Sequence, residues 1–429
     1  METARLSFAQ EHQYALEAVF PGLHNSSIYR AYEIMGDLDV GAMAAAVNAV
    51  CAQHQALRAV VDISGSDVMQ KARSRAESQS SIACIAPRNC TEAQFSAYVH
   101  KTLRADLTAS WDWHNEMPVK AKLIRRDSGC HVLTLCARHL MVDYRSLLTL
   151  EGELWERYAA YHKGEDARSS DQAPRFFDAI EIQRNRVSSA QRRENALYWL
   201  DKLPPELWKF GTQTTRPDDG QALSIKCDPI LISGNRLEEI GAACRSASAT
   251  RFQFALAAIA KSLSCIMADR PMVILVVMDS RPAAWRQIVG MFVQAHPIVL
   301  RVDPANDIGG VLDQVKRAVL NGMRHLHVDS ELMVELRRSR PDSCRAADLS
   351  CVTVTHIQHG AEAVARTQPD ELEIHQFGSG QNAAEANGLM ITIDEGTDNL
   401  GIYMDISESV ISQADAELFE TTLRGLLLP

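Results

Sequence analysis

The sequence predicts an α/β fold with mixed sheets, divided into two lobes. Short apolar runs rich in β-branched residues alternate along the chain with stretches whose apolar residues recur at helical spacing. The hydrophobic share of 46% and the charged share of 23% are ordinary for a globular protein. Because 429 residues exceed what one hydrophobic core usually supports, two domains are expected.

The rest of the chain is organised around the stretch from Arg138 to Ser146. Before it, residues 132–137 form an apolar, partly β-branched run that predicts a buried strand. After it, apolar residues recur at helical spacing at Leu147, Leu150, Leu154, Tyr158 and Tyr161. A helix is therefore predicted to begin near Ser146, which places His139 and Asp143 in a strand-to-helix turn. Such a turn can hold an imidazole at a pocket wall. The spacing alone is equally compatible with a histidine whose hydrogen bonds are satisfied within the core.

The first elements of the chain are a capped helix, a strand, a second helix and a second strand. Ser7 is the predicted N-cap of the first helix. The strands are predicted at residues 29–35 and 59–63. The helix between them has one apolar face, at Val40, Met43, Ala44, Val47, Val50, Cys51, His54 and Leu57.

A strand at 81–85, a helix at 93–103 and a strand at 119–125 lead to the central stretch. Between the last two, Asp106-Leu107 and Pro118 bracket a predicted extended segment that contains Trp111 and Trp113. We interpret these two tryptophans as the cover of a hydrophobic edge.

The boundary between the lobes is predicted near residue 175, after a polar break that follows the central helix. A long polar helix opens at Phe176 and ends near Leu203. Helices at 237–246, 252–266 and 308–326 then alternate with strands at 272–278, 351–357, 389–393 and 401–406, before a last helix that carries Ile411, Leu418, Phe419 and Leu423. The His325-x-His327 pair is not interpreted as a metal site, because no carboxylate or cysteine follows at ligand spacing.

Charge and motifs exclude several classes of function. The 44 basic and 54 acidic residues give a net charge of −10, which disfavours a nucleic-acid binder. No apolar run reaches membrane-spanning length, and the first residues lack the apolar core of a signal peptide. The ten cysteines follow no zinc spacing, so buried free thiols in a reducing cytosol, and hence a cytoplasmic protein, are expected. Walker, dinucleotide-binding and hydrolase-elbow motifs are absent from the sequence.

Several segments resemble motifs of the condensation domains of nonribosomal peptide synthetases. The central stretch resembles His-His-x-x-x-Asp-Gly, with Arg138 in place of the first His and Tyr144 in place of Gly. The other matching residues are Ser7, Ala9 and Gln10; His54, Leu57 and Arg58; and Gly290, Phe292, Val293 and Arg301. Gln294 replaces an Asn of the family's motif, and Glu331-Leu332 stands where the family has Pro-Phe.

The resemblance implies two chloramphenicol-acetyltransferase-like lobes in a V-shaped pseudo-dimer with a central tunnel. The lobes would be residues 1–175 and 176–429, with crossover segments near 279–296 and 377–388. It also implies that His139 is the catalytic residue, and that Asp143, Arg281 and Arg138 are structural, with Asp143 paired to Arg281. The tunnel residues it implies are Tyr144, Ser146, Gln294, Thr355 and His356.

Three functions are compatible with this resemblance. The first is a condensation enzyme that joins a carrier-protein-bound acyl or aminoacyl thioester to an amine or alcohol. The second is a non-catalytic platform that recruits other biosynthetic proteins, and the third is an acyltransferase that uses coenzyme A thioesters. The first implies a carrier protein that supplies the phosphopantetheine arm, no cofactor bound by the chain itself and a monomer; a free-standing protein is favoured, but an excised domain would look similar.

Overall fold

The computed structural model describes most of the chain. The described residues are 2–19, 27–63, 68–78, 82–87, 90–127, 129–166, 175–202, 224–267, 271–328, 352–358, 369, 371–377, 389–407 and 411–428. They divide into two compact units, of which unit 1 comprises Met1–Ser188, Arg281–Phe292 and Ala363–Asn382. Unit 2 comprises Ser189–Ser280, Val293–Glu362 and Ala383–Pro429.

Unit 1 contains strands and helices from all three of its chain segments. Its strands are β1 (Glu2–Arg5), β2 (Ser27–Met35), β3 (Ala59–Asp62), β4 (Met69–Ala72), β5 (Ala83–Ile85), β6 (Val119–Asp127), β7 (Cys130–Arg138) and β13 (Glu373–Gln376). Its helices are α1 (Phe8–Val19), α2 (Val40–Gln53), α3 (Glu92–Thr108), α4 (Tyr144–His162) and α5 (Phe176–Arg186). Short 3₁₀ helices follow α2 at Gln55–Arg58 and lie at Ala283–Trp285.

Within the described residues, unit 1 has one sheet of five strands and one of three. The five-stranded sheet has the order β13-β2-β7-β6-β5, antiparallel except for the parallel β5–β6 pair, and the three-stranded sheet has the order β1-β4-β3. β7 lies between β2 and β6, so nearly all of its residues are buried. Leu147, Leu154 and Trp155 of α4 pack in the same core as α2, and residues 139–143 join the end of β7 to the start of α4.

Unit 2 is built on a seven-stranded mixed sheet, counted over the described residues. Its strands are β8 (Ser224–Lys226), β9 (Ile230–Ser233), β10 (Met272–Asp279), β11 (Val293–Leu300), β12 (Val352–Gln358), β14 (Leu389–Glu395) and β15 (Asn399–Ser407). The order is β11-β10-β12-β14-β15-β8, with β9 also on β15, and the pairs β10–β12 and β12–β14 are parallel. The described helices are α6 (Ser189–Lys202), α7 (Gly234–Ser246), α8 (Arg251–Met267), α9 (Ile308–Arg324) and α10 (Gln413–Leu427).

The mixed α/β prediction is confirmed, and most predicted elements exist with shifted ends. Two predictions of secondary structure are wrong. The helix predicted at 93–103 continues to Thr108, so Asp106 and Leu107, predicted to mark the start of an extended segment, lie in the last turn of α3, where both are buried. The predicted single helix from Phe176 to Leu203 is two helices, because the backbone of Val187 turns to an extended conformation (φ −113°, ψ 107°) after α5.

The division between the units lies at Ser188–Ser189, beyond the boundary predicted near residue 175. The reason is that α5 buries Phe176, Phe177 and Ile180 in the core of unit 1. The crossover segment predicted near 377–388, apart from Phe377, and the Glu331-Leu332 departure lie outside the described residues. In the part of the chain that the structure describes, no helix is both long and apolar enough to span a bilayer.

Candidate functional site

The His139 turn is closed by backbone hydrogen bonds to the last residue of β7. The Arg138 N–H donates to the Pro118 carbonyl at 2.9 Å, which continues the pairing at the start of β6. The Arg138 carbonyl accepts from the N–H groups of Met141 at 2.9 Å and Val142 at 3.3 Å. His139 is the half-buried residue of this turn, since Leu140, Met141 and Val142 are all fully buried.

The ring of His139 is oriented by a backbone acceptor. Its Nδ1 lies 2.9 Å from the Val142 carbonyl oxygen, and because a carbonyl only accepts, Nδ1 carries the proton. In the neutral ring Nε2 then keeps its lone pair. No residue that the structure describes forms a hydrogen bond with Nε2. The turn therefore presents an imidazole that can take a proton from a reactant.

Asp143 is the N-cap of α4 and is completely buried. Its Oδ1 accepts from the Ser146 N–H at 2.9 Å, so α4 begins at Tyr144 rather than near Ser146 as predicted. Its Oδ2 accepts from the Phe292 N–H at 3.0 Å. One carboxylate thus caps the helix after His139 and also holds a segment that follows much later in the chain.

The predicted partner of Asp143 is present. Arg281 Nη1 lies 2.7 Å from Asp143 Oδ2 and Nη2 lies 2.8 Å from Oδ1, a two-pronged pair in which the side chains are 1% and 0% exposed. Burial opposes the charge of Asp143, but the Arg281 guanidinium and the donated hydrogen bonds outweigh it and hold the pKa of this carboxyl below its ordinary value. Asp143 is therefore ionised and fully engaged, which fits a structural role.

Ser146 links the same helix to the backbone at Gly290. Its hydroxyl accepts from the Gly290 N–H at 3.0 Å and from Arg281 Nη2 at 2.9 Å. Its one proton is shared between Asp143 Oδ1 and the Gly290 carbonyl oxygen, both at 2.8 Å. All of its polar capacity is used inside the protein, so the predicted substrate-tunnel role of Ser146 stays a prediction without a free hydroxyl to support it.

Ser7 and Gln10 support the turn from the other side. The Ser7 hydroxyl caps α1 by accepting from the Gln10 N–H at 3.1 Å, and it donates to the Met291 carbonyl at 3.0 Å. The Gln10 amide lies 3.5 Å from the sulfur of Met141, within the His139 turn. The sequence predicted the capping role of Ser7, but it gave no sign of these long-range contacts.

Arg138 lies away from solvent, between an aromatic ring and a carboxylate. Its guanidinium carbon stands 4.3 Å from the centre of the Trp113 ring, and Nη2 is 3.6 Å from Glu17 Oε2. Burial lowers the pKa of the Arg138 guanidinium, and Glu17 works in the opposite direction. The residue that replaces the family's first histidine is therefore a packed, paired cation.

Tyr144 is half-buried and its hydroxyl accepts from Arg30 Nη1 at 3.0 Å. Arg30 forms a buried ion pair with Glu151 on α4, and its Nε donates to the hydroxyl of Tyr32 at 3.2 Å. Burial, and then the nearby Glu151 carboxylate, raise the pKa of Tyr32 far above its ordinary value. The replacement of Gly by Tyr144 is accommodated by a polar network that joins α4 to β2.

The other predicted tunnel residues belong to unit 2. Gln294 on β11 is buried, and its strand partner is Met278. His356 on β12 is tied within the unit by Glu395, whose Oε2 lies 3.0 Å from its Nε2, and by stacking on Phe252 at 4.6 Å. Thr355 points to the opposite face from His356, because neighbouring residues of a strand alternate.

The mixed sheets and the strand, turn and helix around His139 have the chloramphenicol-acetyltransferase-like fold, which solved condensation-domain structures share. A family model described as "Condensation domain" matches residues 1–428. The chain therefore belongs to the condensation domain family, and the resemblance seen in the sequence is confirmed.

Curated relatives are large synthetases. The chain is 25% identical over 336 residues to enniatin synthase of Fusarium equiseti, a match that covers 76% of this chain and 10% of that protein. It is 23% identical over 367 residues to the nonribosomal peptide synthetase TES of Alternaria alternata, covering 82% of this chain and 7% of that protein. The chain thus spans about a tenth or less of the length of these relatives.

Solved structures share the fold along the whole chain. The X-domain from teicoplanin biosynthesis matches with a TM-score of 0.76 at 18% identity, covering 100% of this chain and 95% of that one. A starter condensation domain of rhizomide synthetase in complex with C8-CoA matches with the same TM-score of 0.76, identity of 18% and coverage of 100% and 95%. At such identities these likenesses establish the fold alone.

Proposed function

We propose that this chain is a condensation enzyme of nonribosomal peptide or hybrid natural-product biosynthesis. It joins an acyl or aminoacyl group, held as a thioester on a carrier protein, to an amine or alcohol acceptor. The observation that carries the proposal is the ring of His139, whose Nδ1 lies 2.9 Å from the Val142 carbonyl oxygen, so that in the neutral ring Nε2 is the nitrogen with the lone pair. The membership of the condensation domain family supports the same interpretation.

The proposed reaction needs one proton carrier. As the nitrogen or oxygen of the acceptor forms a bond to the thioester carbon, Nε2 of His139 takes the acceptor's proton. The carbon–sulfur bond then breaks, and the departing thiolate of the phosphopantetheine arm receives that proton from His139. Asp143 and Arg281 touch neither reactant in this scheme; they hold the turn so that the ring is correctly placed.

Turnover with two forms of one acyl donor tests the proposal. The same acyl group is offered on a loaded carrier protein and as its coenzyme A thioester, with a panel of amines and alcohols, and products are detected by mass spectrometry. Product from the carrier-bound donor is expected. Product from the coenzyme A form alone would instead identify a coenzyme A-dependent acyltransferase, and product from neither would contradict an enzymatic role.

A recruitment platform is the second candidate function. The observation that favours it is the loss of the motif glycine to Tyr144, whose phenol occupies the first turn of α4. Among structures of this fold, an X-domain has been solved in complex with OxyB, so one neighbour forms a complex with another protein. A platform would bind a partner without any thioester turnover, which separates it from the first candidate.

The hypothesis that Tyr144 narrows the acceptor route is tested by Tyr144→Gly. If the phenol borders the acceptor, its removal broadens the range of amines accepted or raises the KM of the native acceptor. Tyr144→Phe is the matched control, because it keeps the ring and removes the hydroxyl that accepts from Arg30. An unchanged acceptor range in a folded Tyr144→Gly protein would leave Tyr144 as a packing residue.

A further inference from the structure

We propose that Arg138, clamped by Trp113 and Glu17, is a positioning residue that sets the tautomer and orientation of the His139 ring. The cation and the tryptophan act as one unit that takes over the place of the family's missing first histidine. The effect on turnover rests on the proposed function, whereas the effect on the ring can be observed without any reaction.

Two tryptophans contact the same cross-strand residue pair of the five-stranded sheet. Arg138 pairs with Ser27 across the β2–β7 ladder. The indole Nε1–H of Trp111 donates to the Ser27 hydroxyl at 2.8 Å, and the indole of Trp113 lies against the Arg138 guanidinium. The segment that the sequence presented as a plain hydrophobic cover therefore holds both members of the strand pair from which the His139 turn departs.

The guanidinium is restrained on more than one side. A cation at 4.3 Å from an indole centre is well within the range of a cation–π contact, and these are strongest when water is excluded. Arg138 is 3% exposed and Glu17 is 9% exposed, so their ion pair is also shielded from solvent. Tyr14 of α1 packs edge-on against Trp113 at 4.7 Å, which fixes the indole that Arg138 rests on.

The restraint on the side chain reaches His139 through the backbone. The Arg138 carbonyl binds the N–H groups of Met141 and Val142, and the Val142 carbonyl in turn accepts the Nδ1 proton of His139. A shift of the Arg138 backbone therefore moves the acceptor that selects the ring tautomer. Such an effect is more specific than a loss of stability, because it acts on one imidazole proton.

The test reads the His139 ring directly by nitrogen NMR of ring-labelled histidine at about pH 8, where an ordinary imidazole is neutral. Loss of one signal in His139→Gln assigns the resonance. The wild-type ring is expected to be protonated at Nδ1. In Arg138→Met, which keeps the length of the side chain without its charge, the signal is expected to move toward the Nε2-protonated tautomer, whereas Arg138→Lys, which keeps the cation, restores the wild-type position.

Two further variants keep the test decisive. Trp113→Leu removes the indole while Arg138 stays, and the same shift is expected; it replaces Arg138→Met should that variant fail to fold. Arg126→Met is the matched control, since it removes a cation stacked on Phe95 from the neighbouring strand β6. A ring signal that stays at the wild-type position in folded Arg138→Met and Trp113→Leu overturns the proposal.

Kinetics separate this proposal from the proposed function. With a loaded carrier protein, Arg138→Met is expected to lower kcat by up to about 100-fold, as a small misplacement of a reacting group does, with KM little changed. If the variants shift the tautomer but the wild-type protein shows no turnover, the condensation activity is rejected and the positioning role stands. If the variants leave the tautomer unchanged and the wild-type protein turns over normally, the positioning role is rejected and the condensation activity stands.

Discussion

Two histidines stand at the ends of regular elements, His139 after β7 in unit 1 and His325 after α9 in unit 2. The Nδ1 of His139 is satisfied by a backbone carbonyl and its ring is half-buried. The ring of His325 stacks on Tyr198 with centroids 3.9 Å apart, and its Nδ1 lies 3.2 Å from the buried side-chain oxygen of Asn195. The Nδ1 of each ring has a partner within its own unit, but the His325 ring also has one face covered by Tyr198.

What surrounds each histidine accounts for the difference. The His139 turn is held by charged and polar groups that bind one another, above all Asp143 and Arg281, and the ring adds its Nδ1 contact with the Val142 carbonyl. Around His325 the packing is aromatic, since Trp199 donates its indole N–H to the His325 carbonyl at 2.9 Å. Because stacking on Tyr198 covers one face of the His325 ring, the His139 turn is the better candidate for chemistry.

Removing each ring in turn tests most directly whether the two histidines differ in function. His139→Ala is expected to lower product formation by roughly 100- to 10,000-fold, the usual loss for a general base, while folding and binding the loaded carrier protein normally. His325→Ala is the matched control and is expected to keep wild-type turnover with a lower Tm. Product measured by mass spectrometry with saturating carrier protein decides; a wild-type rate in His139→Ala would end the catalytic assignment.

Asp143→Ala tests whether polar groups hold the first turn. Asp143→Ala removes the carboxylate that faces the buried Arg281 guanidinium, and a destabilisation of about 3–5 kcal/mol is expected in chemical denaturation, together with loss of activity. The lowered pKa of Asp143 means that the stabilisation by the ion pair is present above the ordinary carboxyl pKa of 3.8 and is lost as pH falls below it. A variant as stable as wild type at pH 7 would contradict the pairing.

Two glycines, one in each unit, differ in the space that surrounds them. A Cβ added at Gly290 would lie 2.2 Å from ring carbons of Phe176, so Gly290→Ala is expected to cost about 1–3 kcal/mol of unfolding free energy. At Gly322 in α9 the nearest atom, in Trp199, would be 3.0 Å away. There the gain from replacing a helical glycine, about 0.5–1 kcal/mol, offsets the crowding, and Gly322→Ala is expected to be close to neutral in the same denaturation experiment.

The smallest expected effect concerns His327, beside the second histidine. Burial lowers its pKa to about 4, so the unfolded chain binds a proton that the folded protein does not between pH 6.5 and about 4. Wild-type stability should therefore fall as pH falls through this window, by on the order of 1 kcal/mol for a half-buried ring. His327→Asn, which suits the positive φ of 65°, should flatten this part of the pH profile. If the stability of His327→Asn depends on pH as that of the wild type does, the acid sensitivity comes from another group.

The sequence was sufficient to predict structure where a motif is made of neighbouring residues. The strand, turn and helix around His139 follow from the apolar spacing, and the pairing of Asp143 with Arg281 followed from the resemblance. The position of the N-cap did not, because Asp143 and Ser146 are both good capping residues and only the geometry shows which of them accepts the helix N–H.

Contacts between distant parts of the chain were beyond the sequence. No sequence pattern predicts the contact of Ser146 with Gly290, which lies 144 residues later, or that of Arg30 with Glu151. The cation–π contact of Arg138 with Trp113 was missed for the same reason, since two tryptophans near a strand are compatible with any apolar cover. The crossover near 279–296 followed from the resemblance rather than from the residues, and the structure assigns Arg281–Phe292 to unit 1.

The discontinuity of unit 1 has a consequence during protein synthesis. β2 gains its outer neighbour only when β13 arrives, and the carboxylate of Asp143 gains its arginine only when residue 281 has been made. At about 5–20 residues per second, a ribosome needs roughly 10–40 s to extend the nascent chain from Ser188 to Gln376. For that time the edge of β2 carries unpaired backbone groups, the kind of edge that invites association with other chains. We therefore expect newly made chains to depend on chaperones in proportion to how slowly this interval is translated.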